Sequence, residues 1–268
     1  MFSFIPIASS SKGNCTIIET AKVKVLIDIG ISYKNLINSL NELNIMISDI
    51  SGLFITHIHS DHIKGLKVFL ANTDVEVYMH ADNIKNLIYK DNEYQKYMPR
   101  LKELEKLIKI SDLHINYYEL PHRGWMINNR DSAGKHVGFL FKHIEFDKKL
   151  CYATDLGHLP ESIVETIKEC DAYFFEANYD HEMQINSDRP LGLIKRNLGN
   201  FGHLSNQQSA EYLAKMVCKL RTSKIVLAHL SEQCNTPELA QDTVMQALNK
   251  QGINNILVDT AKANRYII

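Results

Sequence analysis

Apolar positions near the start of the chain switch between short β-branched runs and helical spacing. Runs at 15–20 and 23–28 are separated by a short polar link, which predicts a hairpin. Apolar residues three and four positions apart between 32 and 43 predict a helix, and the run at 51–56 predicts a buried strand. A strand that follows a helix indicates α/β layering.

The rest of the chain continues with strand and helix patterns. The segment 82–114 is rich in Lys, Glu, Asn, Leu and Ile, which predicts a charged helical insert that is broken at Pro99. Strands dominate at first, and helix and strand alternate later. We therefore predict an α/β fold in which two sheets pack together with helices outside, as a single domain over 1–268. The other predicted strands are 75–79, 115–120, 136–141, 149–153, 172–175, 224–230 and 253–259, and the other predicted helices are 160–170, 205–220 and 236–249.

Composition excludes several classes of protein and leaves the partner open. The 268 residues include 30 Lys and Arg against 31 Asp and Glu, with 45% hydrophobic residues, which excludes disorder, collagen and coiled coil. No apolar run approaches the ~20 residues of a membrane span, so we expect a cytoplasmic protein with no membrane partner. Five cysteines without a CxxC pair fit a reducing compartment. The near-neutral charge means that binding to nucleic acid would need a local basic patch or a metal site.

Metal-binding residue types are concentrated directly after the predicted buried strand, in the sequence THIHSDH (56–62). Side chains two apart at the end of a strand point the same way, so His57 and His59 can grip one metal ion. The following turn into a helix can present Asp61 and His62 to a second ion. A cluster this dense in imidazole and carboxylate is costly to hold without a cation. The sequence therefore predicts a metal site after this strand.

The spacing His-x-His-x-Asp-His resembles the metal motif of the metallo-β-lactamase superfamily. The resemblance implies a four-layer αββα sandwich with a dinuclear metal site at one edge. It also implies further ligands just after later strands, which His122, Asp155 and His229 match in order. Asp28 matches the early aspartate that supports the ligands from behind, together with Thr56. The full set of expected metal ligands is His57, His59, Asp61, His62, His122, Asp155 and His229.

Two other histidines compete with His122 for a place among the ligands. His114 begins one predicted strand and His136 heads another. We expect strand starts to lie at the opposite edge of the sheet, so both are excluded. Imidazole-rich ligation suits a pair of zinc ions, and mixed histidine and carboxylate sites also accept manganese or iron.

Five further segments narrow the resemblance to the YycJ/WalJ-like group, which is similar to tRNase Z-type phosphodiesterases and is associated with exonuclease action on DNA. The resemblance implies a dinuclear-metal-dependent phosphodiesterase acting on nucleic acid, a 5′ to 3′ DNA exonuclease in which metal-activated hydroxide attacks phosphorus. It assigns Asp61 as the general base or orienter of the nucleophile, His203 as the proton donor to the leaving oxygen, and Glu176 as the carboxylate that orients His203. The segments are SSSKGNC (9–15), TDLG (154–157), EANYD (176–180), GHLSN (202–206) and HLSEQCNTP (229–237).

Several polar residues in or near these segments are candidates for holding the substrate. Ser10 and Asn14 lie in a Ser- and Gly-rich turn whose backbone N–H groups can face a phosphate, although a tight turn before a strand explains them equally well. Lys195 and Arg196 resemble a basic stretch that holds the nucleic-acid backbone, although a solvated charge pair explains them as well.

The GHLSN segment adds Ser205 and Asn206 as substrate contacts, and Ser205 is also a good N-cap for the helix that follows.

Three positions depart from the pattern of the group. Arg123, Tyr179 and His158 stand where an acidic residue, a histidine and an aromatic residue are usual. These departures affect the surroundings of the site and leave all seven expected ligands in place.

The main alternative is a small-molecule hydrolase on the same fold, acting on a lactone, a thioester or a cyclic phosphodiester, which the neutral charge allows. A leaving alkoxide needs a proton, whereas a lactamase or thioesterase has no equivalent need for a histidine outside the metal ligands, so GHLSN favours the phosphodiesterase. A di-iron oxidoreductase would usually need a flavin partner or domain, and 268 residues leave little room for one. Intact ligands disfavour a non-catalytic interaction module. Oligomeric state stays open.

Overall fold

Two seven-stranded sheets form the centre of the molecule in the computed structural model, which describes residues 1–122, 126–127, 130–131 and 134–268. Arg123 therefore lies outside the described residues. The strands are β1 (Phe2–Ser10), β2 (Gly13–Thr20), β3 (Lys24–Ile27), β4 (Ile50–Phe54), β5 (Val77–Met79), β6 (Leu101–Glu103), β7 (Ile108–Ile110), β8 (Leu113–Leu120), β9 (Met126–Ile127), β10 (Arg130–Asp131), β11 (His136–His143), β12 (Lys148–Ala153), β13 (Ala172–Glu176), β14 (Lys224–Ala228), β15 (Leu257–Thr260) and β16 (Tyr266–Ile267).

Helices connect many of these strands, and several begin at a side-chain cap. Ser32, Ser205 and Thr236 each accept a backbone N–H three residues further on, which satisfies a donor that the first turn leaves unpaired. Across the described part of the chain, no helix combines the length and apolarity needed to cross a membrane. The helices are α1 (Tyr33–Glu42), α2 (Ser60–Ile63), α3 (Leu66–Asn72), α4 (Ala81–Lys90), α5 (Glu161–Ile167), α6 (His181–Ile185), α7 (Leu191–Leu198), α8 (Asn206–Met216) and α9 (Pro237–Lys250), with 3-10 helices at Ile47–Asp49 and Asn92–Arg100.

The two sheets pack face to face, and helices cover their outer faces. The first sheet has the order β16-β1-β2-β3-β4-β5-β6 and the second has the order β15-β14-β13-β12-β11-β8-β7. Phe54 of the first sheet and Phe139 of the second are fully buried between them, with ring centroids 5.8 Å apart. Outside the first sheet lie α1, α3 and α4, and outside the second lie α5, α8 and α9. The layers run helix, sheet, sheet, helix, so the predicted αββα fold is confirmed.

The prediction for the charged segment 82–114 is right at its start and wrong at its end. Helix α4 ends at Lys90, the chain breaks at Asp91 rather than at Pro99, and the 3-10 helix that contains Pro99 ends at Arg100. The residues after it form β6 and β7, which are the edge strands of different sheets. In β7 the sequence Ile-Lys-Ile alternates with a period of two, which favours a strand, and the surrounding charge obscured this short signal.

The first strand and α7 were not predicted. Strand β1 contains Pro6, which lacks the N–H that a strand interior requires, and the pairing of β1 with β2 shifts register between Pro6 and Ala8. A proline inside the run therefore masked a strand that the bulge accommodates. Helix α7 has only eight residues and follows Pro190.

Three strands end in the same unusual backbone conformation. Asp28 directly follows β3 and has a φ of 58°, and His229 directly follows β14 and has a φ of 55°. Asp155 lies two residues after the end of β12 and also has a φ of 58°. Residues other than glycine seldom adopt this left-handed conformation, and Asp and His adopt it more readily than most. Such strain is concentrated at functional sites. Because β3 and β4 are parallel, and β12, β13 and β14 are parallel, these turns cluster at the carboxyl ends of both sheets.

Candidate metal centre and active site

A buried carboxylate behind the histidine motif orients the first ligands. Asp28 Oδ1 accepts the backbone N–H of Thr56 at 2.8 Å, and Oδ2 accepts the Thr56 hydroxyl at 2.8 Å and Nδ1–H of His62 at 2.7 Å. The Thr56 oxygen in turn lies 3.0 Å from Nδ1 of His57 and accepts its proton. Both imidazoles therefore carry their lone pair on Nε2, which is the form that a metal ligand requires. Asp28 and Thr56 thus lie behind the histidines, where the sequence analysis expects them.

His57, His59 and His122 form the first group of converging ligand atoms. Nε2 of His57 lies 2.9 Å from Nδ1 of His59. His122 donates Nδ1–H to the Gly202 carbonyl at 3.0 Å, which leaves its Nε2 for the centre of the group. One nitrogen of each ring lies within 4.8 Å of the others. Burial lowers the pKa of His57 and His122, and lowers the pKa of His59 to about 4, so all three are neutral and ready to ligate.

Asp61, His62 and His229 form the second group, and Asp155 stands between the two groups. Nε2 of His229 lies 3.8 Å from Asp61 Oδ2 and 3.4 Å from Asp155 Oδ1. Nε2 of His62 lies 3.5 Å from Asp61 Oδ2 and 3.3 Å from Asp155 Oδ2. Burial lowers the pKa of His229, but Asp155, Asp61 and Glu176 outweigh it and raise the pKa to about 10. The carboxylates therefore create a strong local preference for positive charge.

The donor atoms fit divalent cations. Nε2 of His122, Nε2 of His229 and Oδ2 of Asp155 are buried and make no hydrogen bond within the described structure. Buried polar atoms are normally satisfied, so three unpaired acceptor atoms that face one small region indicate a site that can bind a cation. Imidazole nitrogen and carboxylate oxygen are ligands for zinc, manganese and iron.

A second buried carboxylate, Glu176, joins the metal ligands to His203. Glu176 Oε1 accepts Nδ1–H of His203 at 2.9 Å and lies 3.1 Å from Nδ1 of His229 and 3.2 Å from the backbone N–H of Asp155. Oε2 accepts the backbone N–H groups of Leu156 and Leu204 at 3.0 and 3.1 Å. Burial raises the pKa of Glu176, but His203 and His229 outweigh it, and the pKa lies below its ordinary value. Glu176 is therefore ionised and holds both histidines.

His203 faces a cavity of about 850 Å³ that reaches the second group of ligands. The cavity wall includes His203, His229, Asn178 and Ser231. The His203 side chain is 14% exposed, and its Nδ1 is engaged with Glu176, so Nε2 is the atom that can exchange a proton with a molecule in the cavity. Asn178 supports the same wall by donating to the His229 carbonyl at 2.7 Å.

The expectation that His136 lies at the opposite edge of the sheet is wrong. Its ring centroid lies 4.5 Å from that of His57 and 5.5 Å from that of His122. Strand β11 runs antiparallel to β8 and β12, so its start lies at the edge where those strands end. His136 donates Nε2–H to the Thr154 carbonyl at 2.6 Å and packs behind the first group. His114, at the start of β8, lies at the opposite edge as expected, opposite Lys142.

Gly30 is a site residue that the sequence analysis missed. A Cβ atom at this position would lie 1.6 Å from the carbonyl oxygen of Asp61 and 2.6 Å from the backbone nitrogen of Asn14. Only glycine lets the loop after β3 approach the turn of the histidine motif this closely. The sequence signal was the Asp28-Ile29-Gly30 turn itself, whose neighbour in space the sequence does not reveal.

The predicted substrate contacts divide into buried and exposed residues. Asn14 is buried, and its amide lies 3.0 Å from Nε2 of His62 and 3.3 Å from the Asp61 carbonyl, so it packs against the ligands. Ser10 lies beside it at the end of β1 and accepts the backbone N–H of Lys12 at 3.2 Å. The hairpin that carries both therefore abuts the metal centre.

The contacts predicted from GHLSN are directed into the protein. Ser205 caps α8, and Asn206 is buried and hydrogen-bonded to Asn235 at 2.8 Å. On α7, Arg196 lines the cavity that contains His203, whereas the exposed Lys195 is not among the lining residues that the structure describes. The structure thus separates two neighbours that the sequence grouped.

A family model described as "Beta-lactamase superfamily domain" matches residues 24–230. The chain belongs to the metallo-β-lactamase superfamily. Members of this fold use divalent metal ions, and the described histidine and aspartate groups can bind them. The chain is a metal-dependent hydrolase.

Within the superfamily the chain is YycJ/WalJ-like. It is 30% identical over 254 residues to "Exodeoxyribonuclease WalJ" of Streptococcus pneumoniae, a match that covers 92% of this chain and 88% of that protein. It is 30% identical over 252 residues to "Exodeoxyribonuclease YycJ" of Bacillus anthracis, covering 93% and 90%. The structure of unliganded yeast PDE1 has a TM-score of 0.72 and 12% identity over 98% of both chains, which shows a shared fold.

Proposed function

We propose that this superfamily member is a nuclease, and more narrowly a dinuclear-metal phosphodiesterase that degrades DNA from the 5′ end. The exodeoxyribonuclease names of two relatives at 30% identity support the substrate class. The observation that carries the proposal is the buried Glu176, which holds His203 at 2.9 Å beside a cavity that His229 also lines. A histidine held outside the two ligand groups described above can supply the proton that a departing alkoxide needs.

In this proposal the two groups described above would divide the ligands between two ions. His57, His59 and His122 would hold one ion, and Asp61, His62 and His229 would hold the other, with Asp155 reaching both groups. Zinc or manganese would supply Lewis acidity that neutralises the phosphoryl oxygens.

In this proposal Asp61 orients the attacking water. Its side chain is 21% exposed, unlike the almost fully buried Asp155, so one carboxylate of the second group is open to solvent. Burial raises the pKa of Asp61, but the neighbouring imidazoles of His229 and His62 outweigh it and hold the pKa well below its usual range. Asp61 therefore stays ionised and can accept a hydrogen bond from water at the phosphate.

In this proposal His203 protonates the leaving oxygen. The Glu176 carboxylate fixes the ring through Nδ1, so the proton for the leaving group is delivered from Nε2 on the cavity side. A positioned donor of this kind contributes about 10²–10⁴ in rate. Removal of His203 should lower turnover without loss of the metal ligands.

Cleavage of end-labelled nucleic acids tests the proposal. Zinc- and manganese-loaded protein is incubated with single- and double-stranded DNA labelled at either end and with matching RNA. We expect stepwise shortening of DNA from the 5′ end, a rate about 10²–10⁴ lower for His203→Ala, and loss of both cleavage and bound metal for Asp61→Ala.

The matched control is His114→Ala, which removes a histidine from the opposite edge of the sheet. It should cleave at the wild-type rate. Shortening from the 3′ end would contradict the direction, and preferential cleavage of RNA would contradict the substrate. Absence of cleavage of any nucleic acid by protein shown to hold metal would overturn the proposal and favour a small ester or a cyclic phosphodiester as substrate.

A further inference from the structure

Arg189 is held beside the candidate active site by neutral partners. Its Nε donates to Gln233 Oε1 at 3.0 Å, Nη1 donates to Gln184 Oε1 at 3.3 Å, and Nη2 donates to Ser231 Oγ at 2.9 Å. Each nitrogen of the guanidinium is fixed by one oxygen that carries no charge. These three hydrogen bonds hold the guanidinium in one orientation, and the uncharged oxygens do not neutralise its positive charge.

The carboxylates near Arg189 are engaged elsewhere or face the cavity. Among the residues that the structure describes, no carboxylate oxygen lies within 4.0 Å of the Arg189 guanidinium. Glu232, between Ser231 and Gln233 in sequence, pairs with Lys12 at 2.5 Å. Two other arginines have acidic partners: Nε of Arg221 lies 2.9 Å from Asp171, and Nε of Arg265 lies 2.5 Å from Glu19. Arg189 is thus an oriented cation without a protein anion.

The cavity that contains His203 and His229 also contains Arg189. Arg189 and Arg196 both line it, against the single carboxylate of Asp188 among the described lining residues. Ser231, which holds Nη2 of Arg189, lies two residues after His229, so one short loop connects the guanidinium to a metal ligand. A volume of about 850 Å³ exceeds what a single phosphate needs and lies in the range of sites for extended ligands.

We propose that Arg189 binds a non-scissile phosphate of the nucleic-acid strand and thereby positions the scissile phosphate at the metal centre. This inference rests on the proposed function and adds a substrate-positioning residue to it. The planar guanidinium matches two phosphate oxygens at once, which fixes orientation as well as supplying charge. The phosphate is either an internal phosphodiester or the terminal monophosphate of the strand.

The uncharged character of the partners is the reason for this assignment. A guanidinium paired with a carboxylate would have to lose that partner before it bound a phosphate, whereas glutamine and serine oxygens leave the charge available. Contacts to the phosphate backbone set the register of a strand without reading its sequence. We therefore expect Arg189 to act on every DNA sequence alike.

Steady-state kinetics on two substrates tests the inference. The wild type, Arg189→Gln and Arg189→Lys are compared on single-stranded oligonucleotides with a 5′-hydroxyl or a 5′-phosphate, and on bis(p-nitrophenyl) phosphate, which has no second phosphate. We expect Arg189→Gln to raise KM for DNA about tenfold or more while bis(p-nitrophenyl) phosphate hydrolysis stays within about twofold. Arg189→Lys keeps the positive charge but loses the planar guanidinium, so its KM for DNA should lie between those of the wild type and Arg189→Gln.

The salt dependence and the terminal group give two further readouts. The slope of log KM for DNA against log salt should flatten by about 0.7 in Arg189→Gln, as for one lost phosphate contact on a single strand. A penalty confined to 5′-phosphorylated DNA identifies the terminal phosphate, and an equal penalty on both oligonucleotides identifies an internal one. A merely structural role would change turnover on both substrate classes.

Two controls separate this inference from the proposed function. Arg265→Gln removes an arginine at the far end of the β1–β2 hairpin and should leave both substrates unaffected. Gln233→Ala removes one exposed neutral partner of Arg189. It should raise KM for DNA by a few fold, because the guanidinium is then held less firmly in its orientation. If the wild type cleaves DNA and Arg189→Gln behaves like the wild type, the inference fails alone. If the wild type neither binds nor cleaves DNA, both fail together.

Discussion

The two sheets contribute to the metal centre in different ways. The first sheet supplies its ligands from one short stretch, 57–62, directly after β4. The second supplies one residue at a time, from separate turns after β8, β12 and β14. The geometry of a contiguous motif is set locally, whereas the dispersed ligands meet only because β8, β12 and β14 run in the same direction within the sheet. The comparison shows one site built by two kinds of folding information.

The ligands from each sheet, which form the two halves of the metal centre, nevertheless depend on one buried carboxylate. Asp28 orients His62 directly and His57 through Thr56, whereas Glu176 holds His229, His203 and the backbone of Asp155. Burial raises the pKa of Asp28, and its partner His62 only partly offsets this. For Glu176 the two histidines outweigh burial. The charged form of Glu176 is thus favoured more strongly by its surroundings than the charged form of Asp28.

The largest effect is expected from Glu176→Gln. The amide NH₂ replaces an acceptor of two backbone N–H groups or of two histidines, so buried donors lose partners at a cost of about 3 kcal/mol. His203 also loses its orienting charge, and we expect a fall in nuclease activity of about a thousandfold. Urea unfolding and the cleavage rate measure the two effects. Glu165→Gln, at an exposed ion pair with Lys168, should change neither, and a similar loss there would contradict the mechanism.

A smaller effect confined to the first half is expected from Asp28→Asn. The amide cannot accept from both Thr56 and His62, so the orientation of the motif loosens, and we expect metal affinity to fall by about 10–100-fold. Competition with a chelator of known affinity measures this. Asp112→Asn is the matched control, because Asp112 is equally buried but bonds Thr20 and His143 away from the site. It should lower stability and leave metal affinity intact; an equal loss of metal affinity in both variants would mean that Asp28 acts only through stability.

The smallest effect should distinguish two neighbours on α7. Arg196 lines the cavity and Lys195 points to solvent, so Arg196→Ala should raise KM for DNA by a few fold and Lys195→Ala by less than about twofold. Steady-state kinetics at low and physiological salt provides the measurement. The reverse order would place the strand on the outer face of α7.

The same difference between local and dispersed ligands decides what could be predicted from the sequence. The motif THIHSDH could be recognised because its geometry is local, and Asp155 and His229 could be recognised because each follows a predictable strand. His136 was misplaced because the direction of β11 relative to its neighbours is a property of the whole sheet. Arg189 was missed because its partners are neutral and two of them, Ser231 and Gln233, lie 42 and 44 residues later in the chain. Local pattern predicts the residues of a site, and sheet topology decides which of them meet.

The position of the ligands at the junction of the sheets has a consequence for the lifetime of the protein. Cations bound there would join two layers that otherwise meet mainly through apolar side chains. A ligand present at a hundred times its Kd stabilises the folded state by about 2.7 kcal/mol. Metal shortage would therefore leave a cell with an enzyme that is both idle and shorter-lived, because the unfolded fraction exposed to proteases grows as the ions leave. Metal supply would then set the abundance of the protein as well as its turnover.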